Sequence, residues 1–141
     1  MLRIPAGTPT GMNLLRLPFT GAEESAVIRS RTADLLAGQP VDTMQDVLLV
    51  ITELVGNVVQ HTDGGGELRL ARHGGTVQVE VHDHSRAFPQ LQRPDPLRPG
   101  GRGLLLVAAT AQSWGCRPTA AGKVVWADVT ISAMTRRKRA D

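Results

Sequence analysis

From Val47 to Val59, nine of thirteen residues are Val, Leu or Ile, yet Glu53 and Asn57 sit among them. A stretch so apolar has to be buried, and polar groups inside it need somewhere polar to point. Glu53, Asn57 and His61 are spaced four residues apart. On a helix they stack along one face. The many β-branched residues favour a strand by propensity. The length of the stretch and the four-residue polar spacing favour a helix. The spacing predicts a helix capped by Asp42 or Thr43 and running to about Gln60. Its polar stripe faces either solvent, as on any half-buried surface helix, or a cavity that holds a charged ligand.

A chain of 141 residues, 41% apolar and 21% charged, is the size and composition of one globular domain with a core. No apolar run approaches the ~20 residues of a membrane span, and Met1–Pro5 does not open the sustained apolar region of a secretory signal. A single cysteine, Cys116, excludes an internal disulfide, which fits a cytoplasmic protein. It lies between Gly115 and Arg117 with no histidine nearby in sequence, and reads as a structural or surface thiol. Arg136, Arg137, Lys138 and Arg139, with Asp141, supply the whole net charge of +3. Such a tail is a solubilising end or touches an acidic surface. With two Phe, two Trp and no Tyr, a base-stacking platform has little material, so no direct nucleic-acid binding is expected.

Hydropathy and turn signals divide the chain into residues 1–11 as an extension, residues 12–132 as one domain and residues 133–141 as a basic tail. Met12–Phe19 reads as an edge strand and Glu23–Leu36 as a helix stopped by Gly38-Gln39-Pro40. Leu68–His73 and Thr76–Asp83 flank Gly74-Gly75, a two-residue hairpin signal. Val77, Val79 and Val81 face one way, and Gln78, Glu80 and His82 the other. Residues 86–103 hold four prolines and three glycines and read as a long loop that orders over phosphate. Leu104–Ala111 reads as a short helix, and Ser113–Arg117 and Val124–Ile131 as closing strands. These elements predict an α+β two-layer sandwich, with helices on one face of a mixed, mostly antiparallel sheet.

Two further features carry chemistry. Gly100-Gly101-Arg102-Gly103-Leu104 is a glycine-rich loop leading into a helix, where backbone N–H groups and the helix dipole suit a phosphate. A flexible turn has the same composition. The loop is not a Walker motif, because no Gly-Lys-Ser/Thr follows, and not a dinucleotide fingerprint, because no parallel βαβ unit surrounds it. Asp83 ends a strand, where a carboxylate either starts a turn or accepts a hydrogen bond from an exocyclic amine such as that of adenine.

Taken in order, these pieces resemble the GHKL ATPase family, which has a Bergerat-type ATP-binding fold. Within it they resemble the stand-alone anti-sigma-factor serine/threonine kinases and their actinobacterial relatives. Glu53-Leu54-Val55-x-Asn57-x-x-x-His61 is similar to the family's N box, and Val79-x-Val81-x-Asp83 to the strand of its first glycine box. Gly101-Arg102-Gly103-Leu104-Leu105-Leu106-Val107 is similar to the second glycine box. Ser113-Trp114-Gly115 and Gly122-Lys123-x-Val125-Trp126 resemble the closing strands. The resemblance spans about Leu14 to Ile131. Histidine kinases share this ATP site, but the chain shows no dimerisation and phosphoacceptor helix pair.

The resemblance implies ATP and Mg²⁺ as ligands. Asn57 would ligate the magnesium, and Glu53 would be the catalytic base that orients a hydroxyl. Asp83 would read the adenine amine. Gly100, Gly101, Arg102, Gly103 and Leu104 would hold phosphates, with His61 near them. The chain departs from the family pattern in two places. Ser85 stands where the first glycine box has Gly, and Val124 where the last strand has a Thr beside the adenine. The implied function is control of a sigma factor or of a STAS-type antagonist by phosphorylation, within transcription regulation, by a homodimer. The alternatives are a nucleotide-dependent binding module with little or no kinase activity, and a small α+β domain without nucleotide.

Overall fold

The computed structural model describes residues 12–61, 64–85 and 103–131. The elements in chain order are β1 (Met12–Phe19), a 3₁₀ turn (Ala22–Glu24), α1 (Ser25–Leu35), α2 (Val41–His61), β2 (Gly66–His73), β3 (Thr76–Asp83), α3 (Gly103–Thr110), β4 (Ser113–Pro118) and β5 (Lys123–Thr130). The strands form a single sheet in the order β1-β2-β3-β5-β4. All four pairings are antiparallel, so the sheet has none of the parallel character that was expected in part. The helices cover one face, which makes the α+β two-layer sandwich.

The core follows from two periodicities. On β3, Val77, Val79 and Val81 are fully buried, and on β5 Val125, Ala127 and Val129 are buried as well. Against them α2 lays Val47, Val50, Ile51, Leu54, Val55 and Val58, an apolar stripe at three- and four-residue spacing. Packing thus overrides the strand propensity of the β-branched residues. The helix starts at Val41, so Asp42 and Thr43 lie inside its first turn and are not its cap. There Asp42 favours the positive end of the helix dipole.

Local chemistry sets the ends of the other elements. Glu24 precedes α1 and reaches back to accept hydrogen bonds from the N–H groups of Thr20 (3.2 Å) and Gly21 (3.3 Å). The Thr20 bond is the largest influence on the Glu24 carboxyl, which is held below its ordinary range. Gly38, at φ 96°, turns the chain after α1 in a conformation that other residues rarely adopt. In the β2–β3 hairpin only the first turn residue, Gly74, has a positive φ (60°), the pattern of a type II′ turn.

The face of the sheet away from the helices is polar but not loose. Glu67 bridges Arg16 (2.9 Å) and Arg69 (2.6 Å). Glu80 lies 2.9 Å from His82, and Asp128 accepts hydrogen bonds from Gln78 (2.8 Å) and Ser113 (3.2 Å). The Trp126 indole packs against Gly115, 2.8 Å from where a β-carbon there would stand. Gln78 and Glu80 are therefore buried by their lateral neighbours although no helix covers them.

Candidate functional site

The start of β2, the end of β3 and the start of β5 lie side by side in the sheet, and α2 packs across the same strands. Glu53 and Asn57 lie one helical turn apart on α2, and both are half-buried. Neither has a hydrogen-bond partner among the described residues. The Glu53 carboxylate rests against the start of α3. Its Oε1 is 2.8 Å from where a β-carbon on Gly103 would be. Glycine at 103 therefore lets the first turn of α3 close onto Glu53. The first N–H groups of any helix lack intrahelical partners and carry its positive end. A carboxylate and a helix N-terminus thus meet, with the Asn57 amide one helical turn further along α2. His61 is the last residue of α2.

The chain leaves α2 at His61 and enters β2 at Gly66, which pairs directly with Asp83 at the end of β3. Asp83 in turn pairs with Lys123, the first residue of β5. Gly122 makes that junction possible, because a β-carbon there would collide with the Asp83 carbonyl oxygen and with His84. The Asp83 side chain is 0% exposed and that of Lys123 8%. Asp83 Oδ1 accepts hydrogen bonds from the Ser85 N–H (2.7 Å) and from Lys123 Nζ (3.0 Å). Oδ2 is 2.9 Å from the same ammonium but outside hydrogen-bond geometry, and has no hydrogen-bond partner. The ammonium attracts both oxygens yet bonds only one. Buried carboxylate oxygens are rarely left so.

Lys123 is the residue that sequence reasoning missed. Val124 was expected to face the adenine region. It instead pairs with His82 and Arg117 on the face away from the helices, where it is fully buried. The inward phase of β5, set by Val125, Ala127 and Val129, carries Lys123 to the Asp83 side. That alternation was the available signal. Ser85 contributes its backbone N–H to Asp83. Cys116, on β4, is a partly buried thiol packed against the core. Burial pushes it above its ordinary value, the Lys123 charge opposes this, and Asp83 adds to it.

Of the expected phosphate-binding residues, Gly103 opens α3, and Leu104 is buried in the core. Leu104 can therefore offer a ligand only its backbone N–H. Gly100, Gly101 and Arg102, together with the rest of the expected phosphate loop, lie outside the described residues. No cluster of three or more His, Cys, Asp or Glu side chains is placed to hold a metal among the described residues. No helix there is long and apolar enough to cross a membrane.

The model of the histidine kinase-like ATPase domain family matches residues 20–129, most of the chain. The chain belongs to this family. Every element from the turn before α1 nearly to the end of β5 falls within the match. Among solved structures, a histidine kinase domain from the Erythrobacter litoralis EL346 blue-light activated histidine kinase superposes with a TM-score of 0.51 at 19% identity. The alignment covers 96% of this chain and 70% of that one, a likeness of fold. A search of curated proteins finds no significant match. The residues present fit an ATPase-domain ligand. Asp83 offers a buried carboxylate oxygen without a hydrogen-bond partner, and Glu53 and Asn57 lie one turn apart on α2 with Glu53 against the start of α3.

Proposed function

We propose that the chain is an ATP-binding regulatory protein. It binds Mg-ATP and transfers the terminal phosphoryl group to a Ser or Thr hydroxyl of a STAS-type antagonist domain, and so controls a sigma factor. The observation that carries this reading is the Glu53–Asn57 pair, one turn apart on α2 and without hydrogen-bond partners among the described residues, with Glu53 against the start of α3.

Asp83 Oδ2 would accept the adenine amine. The first N–H groups of α3 would take phosphate oxygens. Asn57 would offer its amide oxygen to Mg²⁺, a hard ion that takes few protein ligands and completes its shell with phosphate and water. When bound, that ion supplies charge neutralisation for the phosphoryl group. Glu53 would accept the proton of the attacking hydroxyl and orient it toward the phosphorus. The bond from phosphorus to the bridging oxygen breaks as the new ester forms, and ADP leaves.

The partner reading rests on the resemblance of the N box and glycine boxes to anti-sigma-factor kinases. The edge position of β1 and the exposure of Met12 on β1 and Val27 on α1 support a homodimer. The second reading is a nucleotide-dependent binding module with little kinase activity.

Incubating the protein with candidate STAS domains and labelled ATP, with sigma-factor pull-downs in parallel, tests both readings. Label transfer that disappears in Glu53→Ala supports the kinase. Capture without transfer supports the binding module. Neither result, across a full panel, rejects both.

A further inference from the structure

The Asp83–Lys123 pair has hydrogen-bonding capacity that the described residues leave unused. An ammonium carries three N–H donors. Asp83 is the only hydrogen-bond partner of Lys123 among the described residues, although the lysine side chain is only 8% exposed. Beside it, Asp83 Oδ2 is buried and accepts no hydrogen bond. Spare donors and a spare acceptor, both charged and both withdrawn from water, are costly to leave unmet. They complement a ligand edge that carries one donor next to one acceptor. A 6-aminopurine has that edge, because its exocyclic amine donates and the adjacent ring nitrogen accepts.

The geometry points to Lys123 as a second base-reading residue, its ammonium donating to the ring nitrogen beside the amine that Asp83 accepts. This rests on the ATP reading above and adds to it a specificity-determining side chain from β5. The two contacts are coupled by construction. The ion pair fixes the carboxylate through Oδ1 and leaves Oδ2 for the amine. The same pair fixes the ammonium next to the position of the ring nitrogen. A base with the amine but no ring acceptor satisfies only half of this edge and leaves a buried N–H donor unpaired.

Calorimetry with ATP and its 1-deaza analogue, in which the ring acceptor becomes C–H, isolates the proposed contact. The wild type is expected to bind the analogue about ten- to a hundredfold more weakly, the range of a hydrogen bond to a charged group. Lys123→Met, with its fold checked by circular dichroism, should bind the two ligands equally. Lys123→Arg keeps a donor and should keep the preference. A lysine with a merely structural role would weaken both ligands together and leave their ratio unchanged. Should Lys123→Met fail to fold, the double variant Asp83→Asn/Lys123→Met, which leaves no unpaired buried charge, carries the same comparison of the two ligands. Equal affinity of the wild type for both ligands overturns the role of Lys123 while leaving the ATP site standing. No ATP binding to the wild type overturns the site itself.

Discussion

Glu53 and Asn57 come from one turn of one helix, are half-buried and have no hydrogen-bond partner among the described residues. Asp83 and Lys123 come from strands and stand 40 residues apart in sequence, yet form a buried ion pair. The first pair is open, and its cost in stability is small because water reaches it. The second is closed to water, and mutual attraction and one further bond from Ser85 offset part of its cost. The contrast matches two different tasks. A group that moves a proton needs access to the reacting atoms and freedom to change partners. A group that reads a base gains from being fixed before the base arrives. The open pair should therefore govern rate, and the closed pair should govern stability and ligand choice.

The largest effect expected from this contrast is kinetic. Glu53→Ala should slow phosphoryl transfer by about 10²–10⁴-fold, the range of a lost general base. ATP affinity and melting temperature should stay near wild type. Steady-state transfer assays beside calorimetry check this. A fully active Glu53→Ala protein would break the assignment of rate to the open pair.

Next in size is the stability of the closed pair. Lys123→Met leaves the Asp83 carboxylate, 0% exposed, without its countercharge. Removing one member of a buried pair costs about 3–5 kcal/mol, and removing both is often nearly neutral. Urea unfolding should show Lys123→Met strongly destabilised and the double variant Asp83→Asn/Lys123→Met largely restored. Additive losses in the double variant would show that the two residues do not act as a pair.

These two regions were unequally legible in the sequence. The Glu53–Asn57 stripe was readable because helical spacing is a local property, and the apolar run around it set the buried face. The strands of the β2–β3 hairpin were readable from their alternation and from Gly74-Gly75. The Asp83–Lys123 pair was not read, because it depends on the register between β3 and β5. Val124, where the family pattern has its Thr, is one residue out of phase, and a one-residue shift on a strand moves a side chain to the opposite face. The antiparallel order of the whole sheet likewise depends on which strands become neighbours, which no local pattern states.

A third region gives the smallest effect and serves as a control for the comparison. On the sheet face away from the helices, burial alone would raise the Glu67 carboxyl, but the bonds from Arg16 and Arg69 outweigh it and hold the group below its ordinary value of 4.5. A carboxyl lowered on folding stabilises above its unfolded value, and loses that contribution as pH falls through its folded value. Arg16 is 69% exposed and Arg69 39%, so solvent screens both contacts. Glu67→Gln should cost less than about 1 kcal/mol at neutral pH. The difference from wild type should fade as pH drops below 4.5 and through the lowered folded value, as followed by urea unfolding across pH. A loss comparable to that of Lys123→Met would mean that burial does not distinguish the two ion-pair regions.

The central claim is that the open and closed pairs form opposite ends of one Mg-ATP site. Its most direct test is calorimetric titration of ATP into the wild type and Asn57→Ala, each with and without Mg²⁺. The account predicts saturable binding to the wild type that Mg²⁺ strengthens, and binding to Asn57→Ala that no longer responds to Mg²⁺. Absence of ATP binding to the wild type, or an unchanged Mg²⁺ response in Asn57→Ala, would contradict it.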